Sequence, residues 1–377
     1  MTRSNIVLFT WHDAGDWFGC YGYDSVQTPH VDRLAAEGVR FTRHYSACAI
    51  CSPSRAAIAT GRHCQANGVM TLANGPFMNR IHPHITHLAR RCKESGYRTA
   101  LIGVQHEAAH QHVPAVLGVD EQIATDPWPD ADRLCAQVEP WLARQTEQDA
   151  PFYLQIGTYD AHLNRFYSGQ APDPAEAYSP VQDDSRGLHL PDYLVGSDED
   201  RATVATLQGH LQRGDRLMGA VLDGLDRHGL RENTIVAMCV DHGVGLTRAK
   251  TTCYEAGNRV GWIIRAPDRL PAGHVVDELC AHVDVLPTLW ELLGEAPIPG
   301  LDGHSLAAHA RGTAAGPVRL WDFLIEQDDF LVHQSVRCDW ERRTRDDLEA
   351  HCRRHGLPIP MADGPLHNPV DGLHASV

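Results

Sequence analysis

The sequence of 377 residues lacks the features of membrane-embedded, secreted and disulfide-rich proteins. No apolar run is long enough to span a bilayer. Residues 1–4 lead straight into the strand-like run 5–9, with no signal-peptide core or cleavage site. The 11 cysteines are odd in number and scattered from Cys20 to Cys352, which argues against a compact disulfide framework. Together these absences predict a reduced, cytoplasmic protein.

Positive charge is also scarce. The chain has 33 Lys and Arg against 48 Asp and Glu, and its formal net charge is −15. This balance argues against a general binder of nucleic acid or of membrane surfaces, so an anionic substrate would need a local basic pocket. Internal repeats and extended low-complexity segments are absent too. The hydrophobic content of 43% is that of an ordinary globular enzyme, and the length suffices for one large domain with a small addition.

Cysteine spacing favours neither a zinc site nor a redox motif. Cys48 and Cys51 form a C-x-x-C, but no second pair at zinc spacing exists and Pro53 follows. Pro53 suits the first turn of a helix, and Gly61 suits its end. Cys51 would then lie just before a helix N-terminus, where free N–H groups favour an anion. The pattern is typical of a reactive site; the alternative is a buried structural cysteine.

Apolar strands alternate with helices along most of the chain. Strands are predicted at residues 6–10, 99–103, 152–158, 234–240 and 262–265, and helices at 29–37, 85–95, 130–146, 199–228 and 283–293. This alternation predicts an α/β fold with a large, mostly parallel sheet flanked by helices. Polar clusters follow four of the strands: His12-Asp13, His106, Asp160 with His162, and Asp241-His242. Because ligands gather beyond the carboxyl ends of parallel strands, we expect these clusters to converge.

Two stretches depart from the alternation. Residues 167–198 are rich in Pro, Gly and Asp, and form either a solvated loop or a wall of the substrate pocket. After residue 319 the pattern fades into charged segments and a polar tail. We therefore divide the chain into a catalytic domain, residues 1–318, and a small C-terminal subdomain with a partly disordered end, residues 319–377.

The run Cys51-Ser52-Pro53-Ser54-Arg55 resembles the C-x-P-x-R signature of the sulfatase family, within the alkaline-phosphatase superfamily. Segments 28–35, 96–103, 240–243 and 283–289 are similar to family motifs in the same order. The resemblance covers about residues 5–305. It looks closest to the heparan N-sulfatase (N-sulfoglucosamine sulfohydrolase) branch, which shares the run 51–56 and the following Gln65-x-Asn67-Gly68. It implies an alkaline-phosphatase-like sandwich and a sulfuric ester hydrolase.

The resemblance also implies one divalent metal, held by His12, Asp13, Asp241 and His242 together with the modified residue at Cys51. Calcium is the ion most expected for hard oxygen donors. Most relatives carry Asp at position 12, however. Because an imidazole lowers the negative charge of the site and suits a softer ion, manganese or zinc gains weight. The alternative is that His12 is structural and leaves a three-ligand site.

In the family the signature cysteine is oxidised to formylglycine, so the resemblance implies this change at Cys51 and a formylglycine-generating enzyme as a partner. One hydroxyl of the hydrated aldehyde attacks sulfur, and the second allows the sulfated form to collapse and expel sulfate. The resemblance gives Arg55 and the metal the role of stabilising the alkoxide. It makes His106 the base of the collapse, and His162 a sulfate contact and general acid.

Anion binding departs from the family at one position. The usual lysine two places before His106 is replaced by Val104, so Lys250 or the neighbouring Arg248 must supply more of the attraction. The expected substrate is a sulfated sugar or other sulfated small molecule, with O- and N-linked sulfate both open and a homo-oligomer left open. The alternatives are a phosphonate monoester or phosphodiester hydrolase with the same nucleophile, and a catalytically silent metal-binding homologue.

Overall fold

The computed structural model describes residues 3–73, 80–124, 130–163 and 181–314. Residues 167–180 of the Pro-rich stretch and the C-terminal subdomain expected at residues 319–377 lie outside these ranges. The strands are β1 (Asn5–Trp11), β2 (Val39–Phe41), β3 (His44–Tyr45), β4 (Arg98–Gly103), β5 (Glu121–Ile123), β6 (Phe152–Gly157), β7 (Thr234–Val240), β8 (Trp262–Arg265), β9 (His274–Val276) and β10 (Cys280–Ala281). Eight of them form one sheet in the order β5-β4-β6-β1-β7-β8-β2-β9, and β10 pairs with β3.

The sheet is mostly parallel, as predicted. Strand β1 pairs in parallel with β6 and β7, and β4 pairs in parallel with β6 and β5, whereas β8 runs antiparallel to both β7 and β2. Every residue of β1 is buried. Phe9 and Trp11 belong to one hydrophobic cluster and Ile6 and Leu8 to the other, because successive side chains point to opposite faces. The sheet is therefore covered on both faces.

The helices are α1 (Pro29–Glu37), α2 (Cys51–Thr60), α3 (Cys64–Asn67), α4 (Leu88–Glu94), α5 (Val113–Leu117), α6 (Ala131–Gln145), α7 (Asp198–Arg227), α8 (Glu255–Asn258), α9 (Val285–Leu292) and α10 (Ala307–Ala310). Helices α1, α6 and α7 cover one face of the sheet, and α4, α5, α9 and α10 cover the other. Helix α7 begins with a capping box between Ser197 and Asp200.

One predicted helix is shorter than the pattern indicated. The helix expected at residues 85–95 begins only at Leu88, because the ring of His87 accepts the N–H of Ala89 and so caps the first turn. None of the helices in the described ranges is long and apolar enough to cross a bilayer. The nine cysteines within those ranges are free.

Four neighbouring parallel strands, β4, β6, β1 and β7, end level with one another. Gly103 lies opposite Gly157, and Trp11 lies opposite Val240. A Cβ at Gly157 would lie 1.8 Å from the carbonyl oxygen of Val104, so only glycine allows the loop after β4 to cross there. The segments that follow these four strands therefore share one edge of the sheet.

Candidate active site

Five buried side chains meet at this edge and could hold a metal ion. One donor atom from each lies within 4.8 Å of all the others, and the set consists of His12, Asp13, Cys51, Asp241 and His242. These are the five residues that the sequence resemblance implied as metal ligands. They come from three places in the fold: the end of β1, the first residue of α2 and the end of β7.

The end of β1 contributes His12 and Asp13. Nδ1 of His12 lies 2.7 Å from Oδ1 of Asp13 and 3.3 Å from Oδ2 of Asp241, so this ring edge faces both carboxylates. Burial alone would lower the pKa of His12, but the negative charges of Cys51, Asp241 and Asp13 raise it to about 9. Asp13 has the left-handed φ of +50°, and its N–H donates to Oδ1 of Asp241 at 2.9 Å. The two carboxylates are therefore tied together through the backbone.

The end of β7 contributes Asp241 and His242. The Nδ1 of His242 lies 2.9 Å from the carbonyl oxygen of Gly243, which can only accept, so Nδ1 carries the hydrogen. The other nitrogen, Nε2, lies 3.2 Å from Sγ of Cys51. Such orientation of an imidazole by a carbonyl is typical of metal ligands. Despite burial, the neighbouring charges of His242, His12 and Arg55 hold the pKa of Asp241 well below its usual range.

Cys51 is the first residue of α2, whose residues are all buried. Pro53 lies in the first turn and Gly61 ends the helix with φ +64°, as the pattern predicted. Burial would raise the pKa of the Cys51 thiol, but the positive charges of His12, Lys250 and His242 and a hydrogen bond with His106 lower it far below the ordinary value. The helix N-terminus and these cations make position 51 a site for negative charge.

The side chains of Arg55 and Lys250 each form an ion pair with one of the two carboxylates. Arg55 is fully buried; its Nε donates to Oδ2 of Asp241 and its Nη2 to the carbonyl of Trp11, each at 3.1 Å. Its Nη1 is buried and has no hydrogen-bond partner among the described residues. Nζ of Lys250 lies 2.9 and 2.8 Å from the two oxygens of Asp13. Against the effect of burial, Lys250 and the nearby histidines lower the pKa of Asp13.

His106, after β4, approaches both Cys51 and His12. Its Nδ1 lies 3.2 Å from Nε2 of His12, and its ring hydrogen-bonds to Cys51. Its φ of +60° is maintained by Gln105, whose Oε1 accepts the N–H groups of Glu107 and Ala108 at 2.7 and 2.8 Å. Burial lowers the pKa of His106 to about 4, so the imidazole is neutral near pH 7.

His162, after β6, lies at the same site. Its Nε2 is 3.9 Å from Oδ2 of Asp13, and its Nδ1 is 2.9 Å from the hydroxyl of Tyr159. Burial lowers the pKa of His162 well below its usual value, although the Asp13 charge opposes this. The Tyr159 hydroxyl can donate to Nδ1 or accept from it; if it donates, the hydrogen of a neutral ring lies on Nε2, the nitrogen that faces Asp13.

Three other positions from the sequence analysis do not belong to this cluster of candidate ligands and cations. Asp160 accepts from Nε of Arg213 and from the N–H of Ala131, each at 2.7 Å, so it anchors the start of α6. Arg248 is exposed, and its guanidinium makes no ion pair with any described residue. Val104 is buried at the end of β4, and the cluster's lysine and arginine are Lys250 and Arg55.

Sequence reasoning missed some side chains that support the site. Ser54 and His282 contact each other at 2.9 Å behind the nucleophile helix, and Gln105 and Tyr159 position the two histidines. Tyr159 follows a strand end and could have been included with Asp160 and His162. No local pattern marks His282, because its partners lie far away in the sequence.

Comparison with known proteins identifies the family of the chain. A family model described as Sulfatase matches residues 4–295. An ulvan-active sulfatase of Formosa agariphila is 27% identical over 341 residues, which cover 80% of this chain and 54% of that protein. The human N-sulphoglucosamine sulphohydrolase is 24% identical over 306 residues, which cover 76% and 60% of the two chains. The chain thus spans little more than half the length of these curated relatives.

A solved structure shows the same fold. The phosphonate monoester hydrolase from Silicibacter pomeroyi superposes with a TM-score of 0.66 at 22% identity, and the match covers 84% of this chain and 78% of that one. This likeness confirms the predicted α/β sandwich of the alkaline-phosphatase type. Because the family model matches most of this chain, residues 4–295, the chain belongs to the sulfatase family.

Proposed function

We propose that this protein hydrolyses a sulfate ester or a sulfamate on a sugar, using a formylglycine made from Cys51 and one bound divalent metal. The observation that carries the proposal is the placement of Cys51. It lies at a helix N-terminus, within 4.8 Å of four other candidate metal ligands, and both His106 and Lys250 act on its charge.

The donor set fits a divalent cation. The carboxylates of Asp13 and Asp241 supply oxygen, and the rings of His12 and His242 supply nitrogen. Calcium, which the family resemblance implies, prefers oxygen donors, whereas two imidazoles favour manganese or zinc. A cation bound here would act as a Lewis acid on a sulfate oxygen and on the nucleophile at position 51.

The buried cations orient the reacting groups. Formylglycine at position 51 would supply a hydrated aldehyde as the nucleophile. The Nη1 of Arg55 is a buried donor at the nucleophile helix that has no partner within the described ranges, and it would hold an oxygen of that residue. Lys250 contributes a positive charge beside Asp13, where a sulfate group would approach the site. Arg248, on the surface, would contribute only long-range attraction.

Two neutral histidines would move protons. His106 hydrogen-bonds to position 51 and is neutral, so it would accept the proton of the nucleophile's hydroxyl when sulfate is released. His162 would contact sulfate through Nε2, which faces the site, and with the hydrogen on that nitrogen it would donate to the leaving group. Each histidine is held by its own neighbour, Gln105 in one case and Tyr159 in the other.

A saccharide is the substrate class that we propose. The relatives include an ulvan-active sulfatase and an N-sulphoglucosamine sulphohydrolase, and their names supply the two chemistries to compare. Glucosamine 6-O-sulfate and glucosamine N-sulfate carry the sulfate on a hydroxyl oxygen and on the amine nitrogen of the same sugar, so comparing them tests the linkage and position that the site accepts. A formylglycine-generating enzyme is the partner that maturation of Cys51 would need.

The second candidate is a phosphonate monoester or phosphodiester hydrolase with the same nucleophile. Two observations favour it: Val104 stands where sulfatases carry a sulfate-binding lysine, and His12 replaces a carboxylate in the metal cluster. Both changes alter the charge that a tetrahedral anion meets. The two candidates predict different rankings of aryl sulfate, aryl phosphonate and phosphodiester substrates.

The decisive experiment combines a substrate panel with mass analysis. Purified protein from its native host is digested with trypsin, and the peptide with position 51 should have lost the sulfur of the cysteine. The same sample should turn over sulfated mono- and disaccharides faster than phosphonates and phosphodiesters. Metal analysis of that sample identifies the ion.

Different outcomes separate the alternatives. Faster turnover of phosphonates or phosphodiesters would establish the second candidate. An intact thiol at Cys51 with no esterase activity would instead indicate a catalytically silent metal-binding homologue. As a control for surface charge, Arg248→Ala should change kcat by less than about twofold, because a single exposed charge contributes little.

A further inference from the structure

His282 lies behind the site, in contact with two of the elements that build it. The residue is fully buried in a short helical turn just after β10. Its Nε2 is 3.0 Å from the carbonyl oxygen of Val240, the last residue of β7. Its Nδ1 is 2.9 Å from the hydroxyl oxygen of Ser54, in the first turn of α2. One ring therefore bridges the strand that carries Asp241 and the helix that carries Cys51.

The partners determine the tautomer of the ring. A carbonyl oxygen only accepts, so Nε2 carries the hydrogen and donates it to Val240. Burial lowers the pKa of His282 to about 3, so the ring is neutral and Nδ1 is an acceptor. The N–H of Ala47 lies 3.4 Å from Nδ1, and the Ser54 hydroxyl is closer. The two ring edges thus play distinct roles, one as donor and one as acceptor.

Ser54 links the ring to the candidate ligand as well. The Ser54 hydroxyl also contacts the carbonyl oxygen of Asp241, so its single hydrogen is shared between that oxygen and Nδ1 of His282. In addition, Nε of Arg55, the next residue, donates to the Asp241 carboxylate. The first turn of α2 is therefore connected to Asp241 directly and to the preceding Val240 through His282.

We propose that His282 is a positioning residue that sets the distance between the nucleophile helix and the metal-binding end of β7. The proposal rests on the function proposed above for Cys51 and Asp241. His282 would act through its donor edge on Asp241 and His242, and through its acceptor edge on Cys51 and Arg55. It does not touch the reacting atoms itself.

Two substitutions separate the edges of the ring. The amide of a glutamine reaches the place of Nε2, so His282→Gln keeps a donor for Val240 and loses the acceptor for Ser54. The shorter asparagine reaches only the place of Nδ1, so His282→Asn keeps the acceptor and loses the donor. Turnover of 4-nitrophenyl sulfate and the affinity for Mn²⁺ are measured on the full chain of each variant.

The proposal predicts opposite patterns for the two variants. His282→Gln should lower kcat about 10- to 100-fold, with KM and Mn²⁺ affinity within about threefold of the parent, because the nucleophile helix shifts while the end of β7 stays in place. His282→Asn should weaken Mn²⁺ binding about tenfold or more. Ser54→Ala should lower kcat at least as much as His282→Gln does, because it removes the contacts with both His282 and the Asp241 carbonyl. The double variant should lose no more than Ser54→Ala alone, because the contact between Ser54 and His282 is already absent there.

His44 offers a matched control. It is a buried histidine whose ring centroid lies 5.0 Å from that of His282, and it makes no hydrogen bond with Ser54 or Val240 within the described chain. His44→Phe should leave both kcat and Mn²⁺ affinity within about twofold. If His44→Phe lowers them as much as His282→Gln does, His282 serves only packing and the proposal is wrong.

Other outcomes also decide the matter. Unchanged kcat in both His282→Gln and Ser54→Ala would overturn the proposal, as would equal Mn²⁺ affinities in the two His282 variants. If the parent protein turns over no sulfate ester, the proposed function fails. The Mn²⁺ affinities then still test the position of β7, since weaker binding by His282→Asn than by His282→Gln supports the inference and equal binding overturns it.

Discussion

Replacement of Arg55 by methionine tests how the buried charges of the site are balanced. Methionine keeps an unbranched apolar stem but leaves the Asp241 carboxylate without the guanidinium 3.1 Å away. Removing one partner of a buried ion pair typically costs about 3–5 kcal/mol of stability. The carbonyl of Trp11, which also loses a donor, keeps the N–H of Asp241 at 3.2 Å, so it adds little to the loss. Because the ring of His12 still faces Oδ2 of Asp241 at 3.3 Å, we expect Arg55→Met to lose about 3 kcal/mol, the lower end of this range, and all turnover.

The assay is urea unfolding in the presence of EDTA, with Arg265→Met as the control. Arg265 is an equally buried arginine, and its Nη1 lies 2.9 Å from Oε2 of Glu37. Glu37 keeps two further guanidinium partners, Arg33 and Arg231, and is partly exposed, so the control should lose less than about 1 kcal/mol. It should also keep its turnover. A loss in Arg55→Met no larger than in Arg265→Met would refute the reasoning.

Three further predictions follow from single side chains. Asp13→Ala and Asp241→Ala should each abolish Mn²⁺ binding in calorimetric titration and turnover, and activity retained in both variants would exclude this site. Burial raises the pKa of Asp215 from 3.8 to about 7 in the folded protein. As pH rises from 3.8 to 7 the unfolded chain therefore loses this proton while the folded protein still holds it, and the stability of the protein falls. Urea unfolding between pH 4 and 8 should show a decrease of up to about 4 kcal/mol in the free energy of unfolding of the parent, and Asp215→Asn should remove this decrease. An equal decrease in the variant would contradict the assignment to Asp215. Gln105→Ala should lower kcat about tenfold with little change in KM, because the turn that holds His106 opens; an unchanged kcat would show that the turn is not needed.

The candidate ligands could be found from the sequence because of how parallel sheets are built. His12, His106, His162 and Asp241 each follow an apolar strand, and parallel strands bring their carboxyl ends to one edge. The same rule does not say which of two neighbouring polar side chains turns inward. Asp160 follows β6 as His162 does, yet its carboxylate binds Arg213 and the N–H of Ala131. The sequence pattern predicts which segment lies at the site, whereas tertiary contacts determine which of its side chains points into the site.

The residues that support the site could not be predicted from the sequence, for a different reason. His282 and Ser54 are 228 positions apart, and neither lies at the end of a strand of the large sheet. Each has an ordinary structural interpretation in its own segment: Ser54 as a polar residue in a helix, His282 as a residue before an apolar helix. Their importance arises only when β7 and α2 are packed together. A contact of this kind depends on the completed fold and leaves no periodicity in the sequence.

Three of the seven non-glycine residues with a positive φ in the described ranges follow strands at the site. Asp13, His106 and Ala161 have φ values of +50°, +60° and +92°, although none of them is glycine. Each such residue costs of order 1–3 kcal/mol and persists only where its surroundings leave no alternative. At Asp13 the constraint is the hydrogen bond to Asp241, and at His106 it is the turn closed by Gln105. Because the strain falls on residues that follow three adjacent strands, the fold itself holds these side chains in place before any substrate binds.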